Sequence, residues 1–304
     1  MPIHVTSHSR REFLQTSLGA GVSLLTFAQL RGEDSANRTQ HVALLADTHI
    51  AADPKSSARG SVMASNLRKV IADILAQLQR PAFALIDGDC AYNVGLAEDY
   101  QTLASLVTEF PDAQIPLHMA LGNHDDRDAF LKQFSETDKK HAAVAGKHVS
   151  VVETKFANWF ITDTLQKVNN VTGEVGNKQL GWLKAALVAR RDKPAIVVGH
   201  HNPQFTKLDD GRVTGLQDTQ PLFDLLESLP HVKAYVYGHT HSWSTQRRDS
   251  GLHLINLPPV GYVFNERNPI GWVDAAVSEV GLKLTLQSID SGHPEHLKTR
   301  TLDW

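Results

Sequence analysis

Cysteine is almost absent from this chain: Cys90 is the sole one in 304 residues, so no intramolecular disulfide can brace the fold. An excess of positive charge is missing too. With 30 Lys and Arg against 33 Asp and Glu the net charge is -3, which does not supply the basic face that a nucleic-acid polymer requires. An anionic substrate would therefore need local help, such as bound cations. Long apolar runs are lacking as well. The weakly hydrophobic residues 16–30 are too short and too interrupted by Gly, Ser and Thr to span a membrane. No later stretch is rich enough in Pro, Gly or Ser to act as a linker, so residues 37–304 read as one domain. What the chain has in quantity is histidine, with 16 residues.

The run Ser9-Arg10-Arg11-Glu12-Phe13-Leu14 precedes the interrupted apolar stretch and resembles a twin-arginine export signal. Residues 1–36 are read as that signal and a short linker. The pattern implies the twin-arginine export machinery as a partner and a periplasmic or cell-envelope location, with membrane attachment only if the signal stays uncleaved. That route carries folded proteins, in keeping with an unbridged cysteine and with metal loaded before export.

Five apolar runs, at residues 41–46, 82–86, 115–121, 194–198 and 232–237, are rich in Val, Ile, Leu or Ala, as strands buried on both faces are. Each delivers polar groups at its carboxyl end. In order these are Asp47-Thr48-His49, Asp87-Gly88-Asp89, Gly122-Asn123-His124-Asp125-Asp126-Arg127, Gly199-His200-His201 and Gly238-His239-Thr240-His241. Taken alone, residues 122–127 fit a helix N-cap as well as a site. Helical spacing runs through 62–79, 98–109, 126–134, 178–190 and 220–228; Leu67, Val70, Ile71, Ile74, Leu75 and Leu78 form one apolar stripe. The alternation predicts βαβ units in a largely parallel central sheet. A second, mixed sheet built from 148–163, 252–257, 272–277 and 282–289 packs on it. Sites in such folds form beyond the strand carboxyl ends, so the five polar clusters should converge.

The converging groups are Asp47, His49, Asp89, Asn123, His200, His239 and His241, with His124 left over. Carboxylate, amide and imidazole together suit iron, manganese or zinc better than magnesium. Seven ligands exceed the needs of one tetrahedral ion and match two ions sharing a carboxylate. At this point the ordered blocks resemble those of the calcineurin-like metallophosphoesterases, over almost everything after residue 36. The resemblance implies an α/β fold, a β-sandwich of two mixed sheets flanked by helices in α/β/β/α layers. It also implies two divalent or mixed-valence transition-metal ions: Asp47, His49 and His241 would hold the first, Asn123, His200 and His239 the second, and Asp89 would bridge them. His124 would be free to face substrate.

The extended Gly122 to Arg127 block, with His200-His201-Asn202-Pro203, is similar to the branch containing class III cyclic-nucleotide phosphodiesterases and bacterial glycerophosphodiesterases. Leu121 and Asn202 stand where that branch usually has proline. Gly88-Asp89-Cys90-Ala91-Tyr92 also resembles the block of purple acid phosphatases whose tyrosine is a ligand. Those enzymes lack the His of the first block, so Tyr92 is read as packing or pocket wall and Cys90 as a small buried side chain.

The expected activity is hydrolysis of a small phosphodiester by a metal-activated hydroxide, with His124 serving the leaving alkoxide. Asp125 or a backbone carbonyl would orient the His124 ring. His201 is a candidate for substrate contact. Arg127 would either attract phosphate or make a structural ion pair, the second being favoured. Two readings compete: a phosphomonoesterase or nucleotidase on the same site, which pocket width decides, and a metal-binding scaffold without turnover. The scaffold would be signalled by loss of Asp89 or His124, and both are present.

Overall fold

Strand β1 (Gln40–Ala46) shows how the core is built. Val42, Leu44 and Ala46 point into the layer between two sheets, while Ala43 and Leu45 point the other way, toward helices. Because side chains alternate with period two, one wholly apolar strand seals two cores at once. In the computed structural model residues 38–134 and 143–304 are described. Residues 1–36, read as an export signal, lie outside the described residues.

The first sheet has the order β14 (Thr299–Asp303), β13 (Gly281–Ser288), β12 (Gly271–Val277), β1, β4 (Ala84–Asp87), β5 (Leu117–Ala120). β1, β4 and β5 run parallel, whereas β12, β13 and β14 join them as an antiparallel meander. The second sheet has the order β10 (Ser244–Arg247), β11 (His253–Asn256), β9 (Val232–Tyr237), β8 (Ala195–Val198), β7 (Asn158–Ile161), β6 (Ser150–Glu153). It is parallel through its four central strands and antiparallel at both edges. A separate hairpin pairs β2 (Ser57–Ala58) with β3 (Ser61–Val62).

The two sheets bury their facing sides against each other through residues such as Leu44, Leu85, Trp159, Val198, Val236 and Leu284. On the outer face of the first sheet lie α1 (Met63–Ala76), α2 (Ala97–Val107), α3 (Glu109–Asp112) and α4 (Arg127–Phe134). α5 (Asn177–Ala189) and α6 (Thr219–Glu227) cover the second. The layers are therefore α/β/β/α. No helix among the described residues is long and apolar enough to cross a membrane.

Two expectations need correction. The five strands that end in polar clusters do not share one central sheet: β1, β4 and β5 lie in the first, β8 and β9 in the second. An apolar run can be sealed by helices on both sides or by a helix on one side and a sheet on the other, and the pattern does not separate these cases. The stripe of α1 is also shorter than its spacing suggested. The helix stops at Ala76, and Leu78 beyond it is fully exposed. The alternation in β13 does hold, with Lys283 exposed between the buried Leu282 and Leu284.

Leu44 is completely buried between the sheets. Leu44→Ala should cost about 2–5 kcal/mol in a urea titration, while Lys283→Ala should stay within about 0.5 kcal/mol.

Candidate metal centre

The sandwich brings the carboxyl ends of β1, β4, β5, β8 and β9 to one rim, and all five polar clusters meet there. Asp47 Oδ1 lies 3.4 Å from His241 Nε2, 3.9 Å from His200 Nε2 and 4.0 Å from His49 Nε2. Asp89 Oδ2 lies 3.2 Å from His200 Nε2 and 3.7 Å from His49 Nε2. The donor atoms fall into two groups, Asp47/His49/Asp89/His241 and Asp89/His200/His239, with the atoms of each within 4.8 Å of one another. Asp89 belongs to both. The Asn123 side-chain oxygen is buried beside them with no hydrogen-bond partner.

The backbone is bent to achieve this. Asp47, His49, Asp89, His239 and His241 all have left-handed φ, between 46° and 67°. Non-glycine residues adopt that conformation at a cost of roughly 1–2 kcal/mol each. Cross-strand hydrogen bonds hold it: Asp47 N–H to the Gly88 carbonyl, His49 N–H to the Asp89 carbonyl and Gly261 N–H to the Asp47 carbonyl. The Asp47 carboxylate in turn accepts the His239 N–H at 3.1 Å. Two motif glycines are required by close approach. A Cβ on Gly122 would come within 2.2 Å of Asp89 Oδ1, and one on Gly88 within 2.5 Å of His200 Nδ1.

Each imidazole is fixed through its far nitrogen. His49 Nδ1 donates to the Tyr92 carbonyl (3.2 Å), His200 Nδ1 to that of Asp87 (2.8 Å) and His241 Nδ1 to that of Tyr262 (2.6 Å), so Nε2 faces the centre. His239 is reversed: its Nε2 donates to the Thr214 carbonyl at 2.7 Å, which leaves Nδ1 for the centre. Such outer hydrogen bonds select the tautomer a cation needs. Burial lowers the pKa of His49 to about 3 and of His239 and His241 to about 4, so their lone pairs are available at neutral pH.

Burial also pushes Asp47 well up. Although burial alone would raise Asp89 as well, the neighbouring His200, His49 and His124 together outweigh it, His200 foremost, and hold that carboxyl well below its usual range. A buried set of two carboxylates, four imidazoles and an unpartnered amide oxygen, with His200 Nε2 also lacking a hydrogen bond, fits bound cations.

His124 takes part in neither donor group. Its backbone N–H donates to Asp89 Oδ1 (2.8 Å) and its Nδ1 to the Asn93 carbonyl (2.7 Å), so a carbonyl orients the ring. Asp125 is engaged elsewhere. One of its oxygens accepts the Gly122 and Cys90 N–H groups, the other the Ala91 N–H and the Tyr100 hydroxyl, which fastens the β4 and β5 loops together. Burial raises its pKa to about 6. Asp126 accepts the Ala129 N–H at 2.9 Å and caps α4, so the cap and site readings of 122–127 are both met.

Arg127 spends its guanidinium on Asp163, with Nε and Nη2 at 2.7 and 2.8 Å, and on the Leu165 carbonyl. This is the structural role. His201 is fully buried, with Nδ1 2.7 Å from Thr164 Oγ1 and its ring packed on His239 and His200. It supports those imidazoles and does not reach the cavity, contrary to the expected substrate contact. Cys90 is a buried small side chain, as read. Tyr92 contributes its carbonyl to His49 rather than a ligand oxygen.

The ligand atoms open into a cavity of about 460 Å³, also lined by His124, Asn169, Val171, Asn202, Thr214 and Phe264. Of these, Asn169, Val171, Thr214 and Phe264 belong to no motif. Tyr262 and Phe264 arrive from the segment after β11; their rings pack on His241, at 4.7 and 4.2 Å. The Pro258-Pro259-Val260-Gly261 turn was the one signal before them.

The fold and this centre define a calcineurin-like phosphoesterase. The chain belongs to that family, whose domain matches residues 40–243. It is 25% identical over 215 residues to the 3',5'-cyclic adenosine monophosphate phosphodiesterase CpdA of Pseudomonas aeruginosa, covering 70% of this chain and 74% of that one. A probable cyclic nucleotide phosphodiesterase of Ruthia magnifica is 28% identical over 75% of this chain and 89% of its own. The glycerophosphodiester phosphodiesterase GpdQ of Enterobacter lignolyticus is 25% identical over 65% and 72%. Among solved structures a dimetal phosphatase from Danio rerio shares the fold with a TM-score of 0.66 at 14% identity, covering 88% of this chain and 99% of that one.

Two outcomes are expected. Gly122→Ala should abolish most metal binding, measured as metal per chain after reconstitution, because the methyl would displace Asp89. His148 has its pKa lowered, chiefly by burial. Its native form refuses a proton that the unfolded chain accepts below about pH 6.5. The stability advantage of the wild type over His148→Gln should therefore be full above that pH and shrink as pH falls through 6 to 5 in denaturant titrations.

Proposed function

We propose that the protein is a binuclear metal-dependent phosphodiesterase. The observation that carries this is the membership of Asp89 in both donor groups. Asp47, His49 and His241 would hold one ion, and Asn123, His200 and His239 the other, with Asp89 between them. The donor set suits iron, manganese or zinc. Bound ions would supply positive charge to the phosphate oxygens and lower the pKa of water enough to furnish a nucleophile.

The chain's own residues account for the rest. His124, anchored through Nδ1–H to the Asn93 carbonyl, would in its doubly protonated form turn Nε2–H to the leaving alkoxide, donating a hydrogen bond and passing that proton to the oxygen as the P–O bond breaks. Burial of the donor atoms excludes bulk water from the charged centre, which strengthens each interaction made there. The names of the relatives support diesters over monoesters as substrates. Residues 1–36 support export by the twin-arginine route to the periplasm or cell envelope.

The test is metal analysis combined with a phosphoester panel on the native-metal protein. About two metals per chain and turnover of diesters are expected; bound metal with no hydrolysis under several reconstitutions would refute the proposal. His124→Ala should keep both metals and lose about 10²–10⁴ in turnover of alkyl diesters, with a smaller loss on p-nitrophenyl diesters. Equal losses on the two would remove His124 from the leaving group.

A further inference from the structure

The β2–β3 hairpin turns through Arg59 and Gly60, both with left-handed φ, at 49° and 79°. Two-residue turns of this kind favour Asn-Gly, since most side chains are strained at the first position. Arginine is a poor choice for the turn itself. Its guanidinium has no hydrogen bond or ion pair among the described residues; it lies over the ring of Phe264, with Cζ 4.8 Å from the centroid. Phe264 is 55% exposed, although it lines the cavity and stacks on His241 at 4.2 Å with 25° between planes. A strained, unpaired cation and a half-exposed aromatic ring thus meet at the mouth of the cavity above the centre. Asn169, also lining the cavity, has an exposed side-chain amide with no hydrogen bond.

Resting on the phosphoester reading above, we infer that Arg59 and Phe264 form a subsite for a planar nitrogenous ring carried by the substrate. The ring stacks on the outward face of the Arg59 guanidinium, which Phe264 backs from below, while its phosphate sits at the metal ligands and the free Asn169 amide meets a polar edge. Stacking on aromatic and guanidinium faces tolerates many rings and is strong enough to set specificity. A glycerol or choline substituent offers no such face. The hairpin therefore acts on substrate choice rather than on the bond-breaking step.

The test compares adenosine 5'-monophosphate with ribose 5-phosphate, which differ only in the base, by calorimetric binding to the Mn²⁺-loaded full chain. The wild type should prefer the nucleotide by about tenfold or more. Arg59→Asn, which suits the turn and keeps the fold, and Phe264→Leu should each cut that ratio at least threefold with metal content unchanged. A wild-type ratio near one, no binding of either compound, or a ratio untouched by both variants would overturn the subsite. A preserved ratio in a protein that hydrolyses no diester would instead sink the catalytic reading and leave the subsite standing.

Discussion

The structure turns on a concentration of buried carboxyl groups. Asp47, Asp87 and Asp89 are all removed from water within the ends of two adjacent strands, where each raises the energy of ionising the others. Asp87 has both carboxyl oxygens without a partner, and burial lifts its pKa to about 7. Among the described residues His200 is the main counter-charge to this cluster. A fold that keeps such a cluster, at several kcal/mol of desolvation, has a use for an added cation. The imidazoles are arranged accordingly, each tied at its outer nitrogen with the inner one turned to the centre, where His49 Nε2 and His241 Nε2 lie 3.1 Å apart.

The same demand explains the architecture. Carboxylates come from the first sheet and most imidazoles from the second, so the ligand set is complete only where the two sheets abut. Left-handed turns at five ligands are tolerable because each lies just past a strand anchored by two buried faces. The strain sits in the loops and the restraint in the sandwich beneath, which is where a rigid site is best built.

Much of this was legible before the structure. Strands 41–46 and 232–237 carried uninterrupted apolar runs, and the ligands followed them in short polar blocks. The edge strands β10 (Ser-Thr-Gln-Arg) and β14 (Thr-Arg-Thr-Leu-Asp) were not, because they are half wet and their pattern resembles loop. Assignment of strands to one sheet or the other was hidden for a different reason. It depends on which face a helix covers, and either choice buries the same residues. Within the site, Asn93 and Thr214 act through carbonyls, which leave no trace in residue type. Tyr262 and Phe264 are brought in by a turn whose direction is decided only by its pairing with β1.

Thr214 differs from the other carbonyl anchors. It lines the cavity and also decides which nitrogen of His239 meets the centre. One short loop thus serves two masters, and drift in it cannot be neutral for either. A change that reshapes this loop also shifts the His239 ring, so diversification here should proceed by paired changes. The β2–β3 hairpin, which approaches the cavity only through Arg59 over Phe264, has no such tie to an imidazole of the centre and is freer to evolve.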